Sequence, residues 1–347
     1  MDQAESPSRI RMDVDLGRAG RQQSYLRAPF SRNTSGWGTV EIPIVVLKNG
    51  EGPTVLFTAG VHGDEYEGQI ALLKLAQTLR PEEIQGRVII IPAVNMPAVL
   101  NDTRLSPIDQ RDLNRCFPGR RGGTFSEMLA HFLDSAIFPH IDVSVDLHTA
   151  GHSMEAALST NMHHVLDKAV RRQTLKAAEA FGAPFNVVFG GVDEGATLTS
   201  AVEHRGILSL GTELGGWGRV NIEGVRVAER GVRNVLHHFG ILEGRPEVAQ
   251  TKATGATRHM MVRDFRCYTF APSGGLFEPG HLAGADVREG ELAGVLHFVE
   301  DIARPPTKLR YAVSGVLWMA SGPGRVQRGD VVAVVMQDYQ EDTADRV

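Results

Sequence analysis

Over the first two thirds of the chain, short apolar runs alternate with amphipathic stretches. Thr54-Val55-Leu56-Phe57 and Arg87-Val88-Ile89-Ile90-Ile91 read as buried strands, the second apolar on both faces. Residues 142–148 alternate and end on His148, Phe185-Asn186-Val187-Val188-Phe189 is another strand, and residues 207–214 form a strand carrying Glu213. Between them, helices are predicted near residues 65–79, 124–138, 165–181, 198–205 and 225–239. Asn49-Gly50, between two apolar runs, predicts a hairpin that makes the strands before and after it antiparallel neighbours. Residues 1–25 are polar, a loose arm or short edge strands. Residues 95–123 and 149–164 are irregular, and loops of that length in a compact domain are commonly functional or disordered. Residues 190–195 form a turn.

Strands alternating with helices at this spacing predict an α/β sheet covered on both faces. After about residue 249 the helical pattern stops. Short β-type runs punctuated by Gly274-Gly275, Pro279-Gly280, Glu289-Gly290 and Gly322-Pro323-Gly324 predict a small all-β domain. The division is therefore an N-terminal arm (1–35), a catalytic α/β domain (36–249) and a C-terminal β domain that shapes the pocket (250–347).

Composition adds exclusions. A length of 347 residues allows two or three domains, or one large one with an appendage. With 42% hydrophobic and 22% charged residues the chain is of ordinary globular composition, and a net charge of −5 carries no nucleic-acid signature. The two cysteines, Cys116 and Cys267, fit a reducing compartment. No basic segment followed by an apolar one opens the chain, and no apolar run approaches the ~18 residues of a membrane span. A cytoplasmic protein with no membrane association is expected.

The candidate chemistry sits at strand ends. His62 and Glu65 lie where a strand stops and a helix begins, the edge at which open α/β sheets bind ligands. An imidazole and a carboxylate there can converge on one cation, and a second histidine would complete a zinc set that keeps one position open for water. His148 repeats the strand-then-small-residue-turn context of His62, and a water in the open position would have its pKa lowered to about 7. Glu213 is the candidate base, at a strand end entering a glycine turn. Arg104, Arg111 and Arg115 in the long loop are candidate cations for a carboxylate or a developing oxyanion. Asp64 and Asp146 are candidates to orient the zinc-bound imidazoles. Against these stand a helix-start carboxylate for Glu65, a capping role for Glu213, solvated loop arginines, and a pocket wall or helix start for His163-His164. Cys116 is either a reactive thiol or a small buried residue, the second being favoured.

His62-Gly63-Asp64-Glu65, Asp112-Leu113-Asn114-Arg115, Asp146-Leu147-His148 and Thr212-Glu213-Leu214-Gly215, in that order, resemble the succinylglutamate desuccinylase/aspartoacylase family over about residues 35–345. Trp37-Gly38, Lys48-Asn49-Gly50, residues 104–109 and Phe117-Pro118-Gly119 look most like the branch that deacetylates N-acetyl-2,4-diaminobutyrate. The resemblance implies a zinc carboxypeptidase-like fold, a three-layer α/β/α arrangement with a mixed sheet. It implies one Zn2+ per chain on His62, Glu65 and His148, with Glu213 as general base and then acid. It also implies that Arg104 polarises the scissile carbonyl and that Asn114 and Arg115 hold the substrate carboxylate. The expected partner is a small N-acyl amino acid, and the family allows a homo-oligomer.

Where that branch carries Ser-Gly-Gly and a Lys-containing turn after the second histidine, this chain has residues 149–155, Thr-Ala-Gly-His-Ser-Met-Glu. That segment is expected to line the pocket. Other readings are a deacylase of another acyl amino acid (a desuccinylase or aspartoacylase), a zinc carboxypeptidase, or a non-catalytic metal-dependent sensor of acyl amino acids. The β domain counts against the carboxypeptidase, and a base beside an arginine counts against the sensor.

Overall fold

The computed structural model describes residues 8–190, 195–247 and 256–341. Its strands are β1 (Gly20–Pro29), β2 (Thr39–Asn49), β3 (Thr54–Ala59), β4 (Gly86–Ile91), β5 (Val143–Leu147), β6 (Met154–Ala156), β7 (Ser159–His163), β8 (Phe185–Phe189), β9 (Leu208–Glu213), β10 (Arg258–Val262), β11 (Gly315–Ser321) and β12 (Val331–Asp338). The sheet runs β1-β2-β4-β3-β5-β9-β7-β8-β10-β12-β11, with two-residue strands, Arg11–Met12 and Asp286–Val287, at its ends. Pairing is mixed: β4, β3, β5 and β9 are parallel neighbours, whereas β9 pairs with β7, and β12 with both β10 and β11, antiparallel.

Period-two alternation divides the core. Val55, Phe57 and Ala59 of β3 face α1 (Tyr66–Thr78), together with helices at Lys168–Phe181 and Ile222–His238. Leu56 of β3 and Ile89 and Ile91 of β4 face the opposite layer, built from Phe125–Phe132 and Leu198–Glu203. This is the three-layer α/β/α arrangement with a mixed sheet. A separate four-stranded sheet, Thr307–Arg310, Leu292–His297, Gly275–Pro279 and Arg325–Val326, lies in the C-terminal region. Among the described residues no helix is long and apolar enough to cross a membrane.

Three expectations change. The strands flanking Asn49-Gly50 do not pair, because β4 lies between them, antiparallel to β2 and parallel to β3. The linker contains Gly50 (φ 63°), Gly52 and Pro53, and Arg87 N donates to Pro53 O at 2.9 Å, so the start of β4 fits beneath it. A two-residue turn would leave no room for that insertion. The polar N-terminal stretch includes a ten-residue strand, β1, paired with β2 along its whole length. The stretch expected to be irregular, residues 149–164, contains β6 and β7, held by β11 and β9 from far along the chain. The domain boundary at residues 249–250 and most of the turn at residues 190–195 lie outside the described residues.

Candidate metal and catalytic site

Three strand ends and a helix start converge. His62 follows β3, Glu65 precedes α1, His148 follows β5 and Glu213 ends β9. Two backbone features hold them together. Gly63 presses on the helix Met96–Asn101 so closely that a Cβ there would meet Ala98 at 2.1 Å. Thr212 binds both backbone groups of His148, accepting from its N at 2.9 Å and donating to its O at 3.1 Å, which ties the Glu213 strand to the histidine.

Glu65 occupies the N-cap position of α1, yet its side chain makes no capping bond. It turns inward, with Oε1 2.7 Å from His62 Nδ1 and Oε2 2.7 Å from His148 Nδ1. These three residues are buried, and their ligand atoms lie within 4.8 Å of one another, close enough that they could hold one metal ion. The outer nitrogens are also held: His62 Nε2 is 3.0 Å from Asp112 Oδ1, and His148 Nε2 is 2.7 Å from Asp146 Oδ2. A carboxylate on Nε2 favours the proton there and leaves the Nδ1 lone pair directed at the centre, an arrangement common to metal-bound histidines. The donor set therefore fits a divalent metal such as zinc.

The charges in this cluster constrain one another. Burial pushes the Glu65 carboxyl up, but the two histidines outweigh it and hold it well below the usual carboxylate range. Burial opposes charge on His148, yet Asp146 and Glu65 raise it well above its ordinary value. Burial raises Glu213, the nearby Glu65 charge raises it further, and the carboxyl is pushed up to about 8. Its Oε2 is buried with no hydrogen-bond partner among the described residues, unlike a carboxylate that caps a turn.

Arg104 donates to Asp112 Oδ2 through Nε at 3.1 Å and Nη2 at 2.8 Å, while its Nη1 lies 3.5 Å from His62 Nδ1. Asp112 thus joins an arginine to a histidine of the cluster. It stands in the Asp112–Arg115 motif, but nothing in its spacing announces that link. Asn114 and Arg115 fall in a single turn, Leu113–Arg115, and both line the central cavity of about 280 Å³ with His62, Glu65, His148 and Glu213. Asn114 Oδ1 accepts from Leu198 N at 2.9 Å, which leaves its NH2 group to donate. Arg111 is turned away toward Glu127.

Asp146 is fully buried, bound to His148 and to Thr58 Oγ1 at 2.6 Å, so it orients the second histidine. Asp64 does not act on His62: its Oδ2 accepts from His152 N at 2.9 Å and lies 3.1 Å from that ring. His163 is a pocket-wall residue backed by Glu203 at 2.6 Å, and Asn161, Thr197 and Thr199 also line the cavity, without any motif to mark them. Cys116 Sγ bonds to Asp112 O, and burial pushes its thiol up, so it is not an activated nucleophile.

Comparison with known proteins places this arrangement. Residues 51–239 match the succinylglutamate desuccinylase/aspartoacylase catalytic domain. The chain is 37% identical to the N-alpha-acetyl-L-2,4-diaminobutyric acid deacetylase of Halomonas elongata, over 96% of each chain. A succinylglutamate desuccinylase/aspartoacylase structure from Rhodobacter sphaeroides superposes with a TM-score of 0.93 at 65% identity, covering 96% of this chain and all of that one. The product-bound ectoine utilization protein EutE (DoeB) of Ruegeria pomeroyi gives a TM-score of 0.91 at 37% identity, with the same coverage. Matched through its catalytic region and along nearly its whole length, the chain belongs to the succinylglutamate desuccinylase/aspartoacylase family.

Proposed function

We propose that this protein hydrolyses the amide bond of a small N-acyl amino acid, N-acetyl-diaminobutyrate-like in structure, with zinc held by His62, Glu65 and His148. The observation that carries the reading is Glu213, a buried carboxyl with an unpartnered oxygen, lining the same cavity as the His–Glu–His group. The name of the 37% identical relative supports the reaction class. A metal in this position supplies a Lewis acid and a positive charge that acidifies nearby water and offsets the Glu65 carboxylate.

The protein side chains then divide the work. Glu213 takes the proton of the attacking water and returns it to the leaving amine, for which a pKa near the working pH is suited. Arg104, aimed by Asp112, offers its guanidinium to the carbonyl oxygen as charge develops there. Asn114 and Arg115 hold the substrate carboxylate and so fix its register.

The cavity, about 280 Å³, is at the small end for ligand sites and suits an acyl amino acid better than a peptide chain. Met319, on β11, lines the cavity beside Met154 of β6, in keeping with a C-terminal β region (250–347) that shapes the pocket of a catalytic unit (36–249). Both cysteines are free, in keeping with a cytoplasmic location.

Amine release from N-acetyl-L-2,4-diaminobutyrate, N-acetylaspartate, N-succinylglutamate and a short peptide tests the reading. Zinc-loaded protein is expected to cleave the first fastest, in line with the name of the 37% identical relative. Faster cleavage of the peptide would establish the carboxypeptidase instead.

A further inference from the structure

Most polar side chains around the central cavity are engaged by the protein itself. Arg104 is held by Asp112, Asn114 accepts from Leu198 N, and His163 is backed by Glu203. Asn161 is different. It stands half-buried on β7 and lines the same cavity as His62, Glu65, His148 and Glu213. Its side-chain amide makes no hydrogen bond among the described residues. An amide carries two donors and an acceptor, and here all of them are left for whatever enters the cavity.

The pairing of β7 with β9 fixes where this amide sits. Asn161 is opposite Gly211, and Ser159 is opposite Glu213. Leu208 and Leu210 of β9 pack into the α1 layer, so Gly211 and Glu213 face the other side, toward the helix Leu198–Glu203. Asn161 therefore projects to the same side as Glu213, two residues or about 7 Å further along the sheet. There it lies against β9 itself: a Cβ on Gly211 would meet Asn161 Oδ1 at 2.2 Å and Nδ2 at 3.2 Å. The helix over this face is tied down at both ends. Leu198 N donates to Asn114 Oδ1 at 2.9 Å, and Glu203 Oε2 lies 2.6 Å from Nδ1 of His163, the next residue after Asn161 on the same face of β7. Five helical steps, about 7.5 Å, separate the Asn114 end of the cavity from the His163 end.

We propose that Asn161 is a specificity-determining residue: its amide hydrogen-bonds the side chain of the substrate amino acid, and position 211 is glycine to leave that amide its place against the strand of the base. The inference rests on the function proposed above and adds to it the residue that reads the side chain, whatever charge that side chain carries. With the acyl carbonyl at Arg104, the scissile nitrogen at Glu213 and the carboxylate on Asn114 and Arg115, the amino-acid half lies between β7 and the helix Leu198–Glu203. Its side chain then runs along β7 from Glu213 toward His163, and Asn161 is the first polar group it passes. An apolar side chain in this position would cover the amide without satisfying it, which carries a desolvation cost. A side chain with a hydrogen-bonding group a few atoms out avoids that cost.

The test measures kcat and KM separately for N-acetyl-L-2,4-diaminobutyrate, whose side chain reaches Asn161, and N-acetyl-L-alanine, whose methyl group does not. The second is read as a substrate or as a competitive inhibitor. Asn161→Leu keeps the bulk over Gly211 and breaks no hydrogen bond within the protein. In the zinc-loaded enzyme it is expected to raise KM for the first compound roughly fivefold or more, the scale of one lost hydrogen bond. Its kcat should stay within about twofold, and the constants for the alanine compound should not change. Gly211→Ala drives the amide from its place and should give the same selective loss. Added to Asn161→Ala, where the new methyl has room, it should cost nothing further, because the two positions act as a unit. Asn161→Ala alone repeats the comparison if the leucine does not fold, and melting temperatures show which variants do. Equal losses on both compounds, a loss confined to kcat, or additive losses in the double variant would reduce Asn161 to packing and overturn the inference, leaving amide hydrolysis standing. A wild type that cleaves neither compound, nor N-acetylaspartate, nor N-succinylglutamate, would remove the hydrolase reading and this role with it.

Discussion

Replacing Glu213 with glutamine is expected to remove most turnover, by roughly 10²–10⁴-fold in kcat, while leaving the metal in place. Glutamine has nearly the shape of glutamate, and the Oε2 it replaces has no partner among the described residues, so no native contact is broken. What disappears is the capacity to accept and return a proton. Stability should move the other way. Burial and Glu65 raise the Glu213 carboxyl from 4.5 to about 8 in the metal-free protein. Between those values the folded protein holds a proton that the unfolded chain has released, so stability falls as pH rises through that window. Glutamine lacks this penalty. Metal-free Glu213→Gln should melt higher than wild type, by more at pH 8 than at pH 5. Near-normal kcat in the variant would assign the proton transfer to another group, and a loss of zinc would move Glu213 into the metal site.

His148→Ala has the other large expected effect. Removing a carboxylate behind a metal-bound histidine typically costs 10–100-fold in metal affinity, so removing the histidine itself should exceed about a hundredfold. Zinc measured by elemental analysis after dialysis should fall from about one per chain to a small fraction, with activity falling in proportion. The variant also leaves Asp146 buried without its imidazole, although Thr58 still donates to it. An uncompensated buried charge costs on the order of 3–5 kcal/mol, so a lower melting temperature is part of the expected result. Stoichiometric zinc in folded His148→Ala would exclude the histidine as a ligand.

The sequence shows the site more clearly than it shows the sheet. His62, Glu65, His148 and Glu213 each follow or precede a strong local signal, an apolar strand ending in a turn, and strand ends on one sheet edge meet in space. The β6 and β7 strands are short and polar, and their partners, β11 and β9, lie roughly 160 and 50 residues later in the chain, so no local pattern reveals them. The Asn49-Gly50 signal is genuine turn chemistry, but the insertion of β4 between β2 and β3 is decided by long-range pairing. Asp64 and Asp112 show a similar limit. Asp64 stands between two metal-ligand candidates in the sequence, and spacing favours it as the partner of His62. In the structure that contact belongs to Asp112, fifty residues away in the chain, and Asp64 faces His152 instead.

The most direct measurement strips the protein with a chelator and restores zinc in steps while following amine release from N-acetyl-L-2,4-diaminobutyrate. If His62, Glu65 and His148 hold one catalytic metal, the stripped protein is inactive, and activity rises with added zinc to a plateau at one equivalent per chain. Full turnover by protein shown to contain no metal would contradict that assignment.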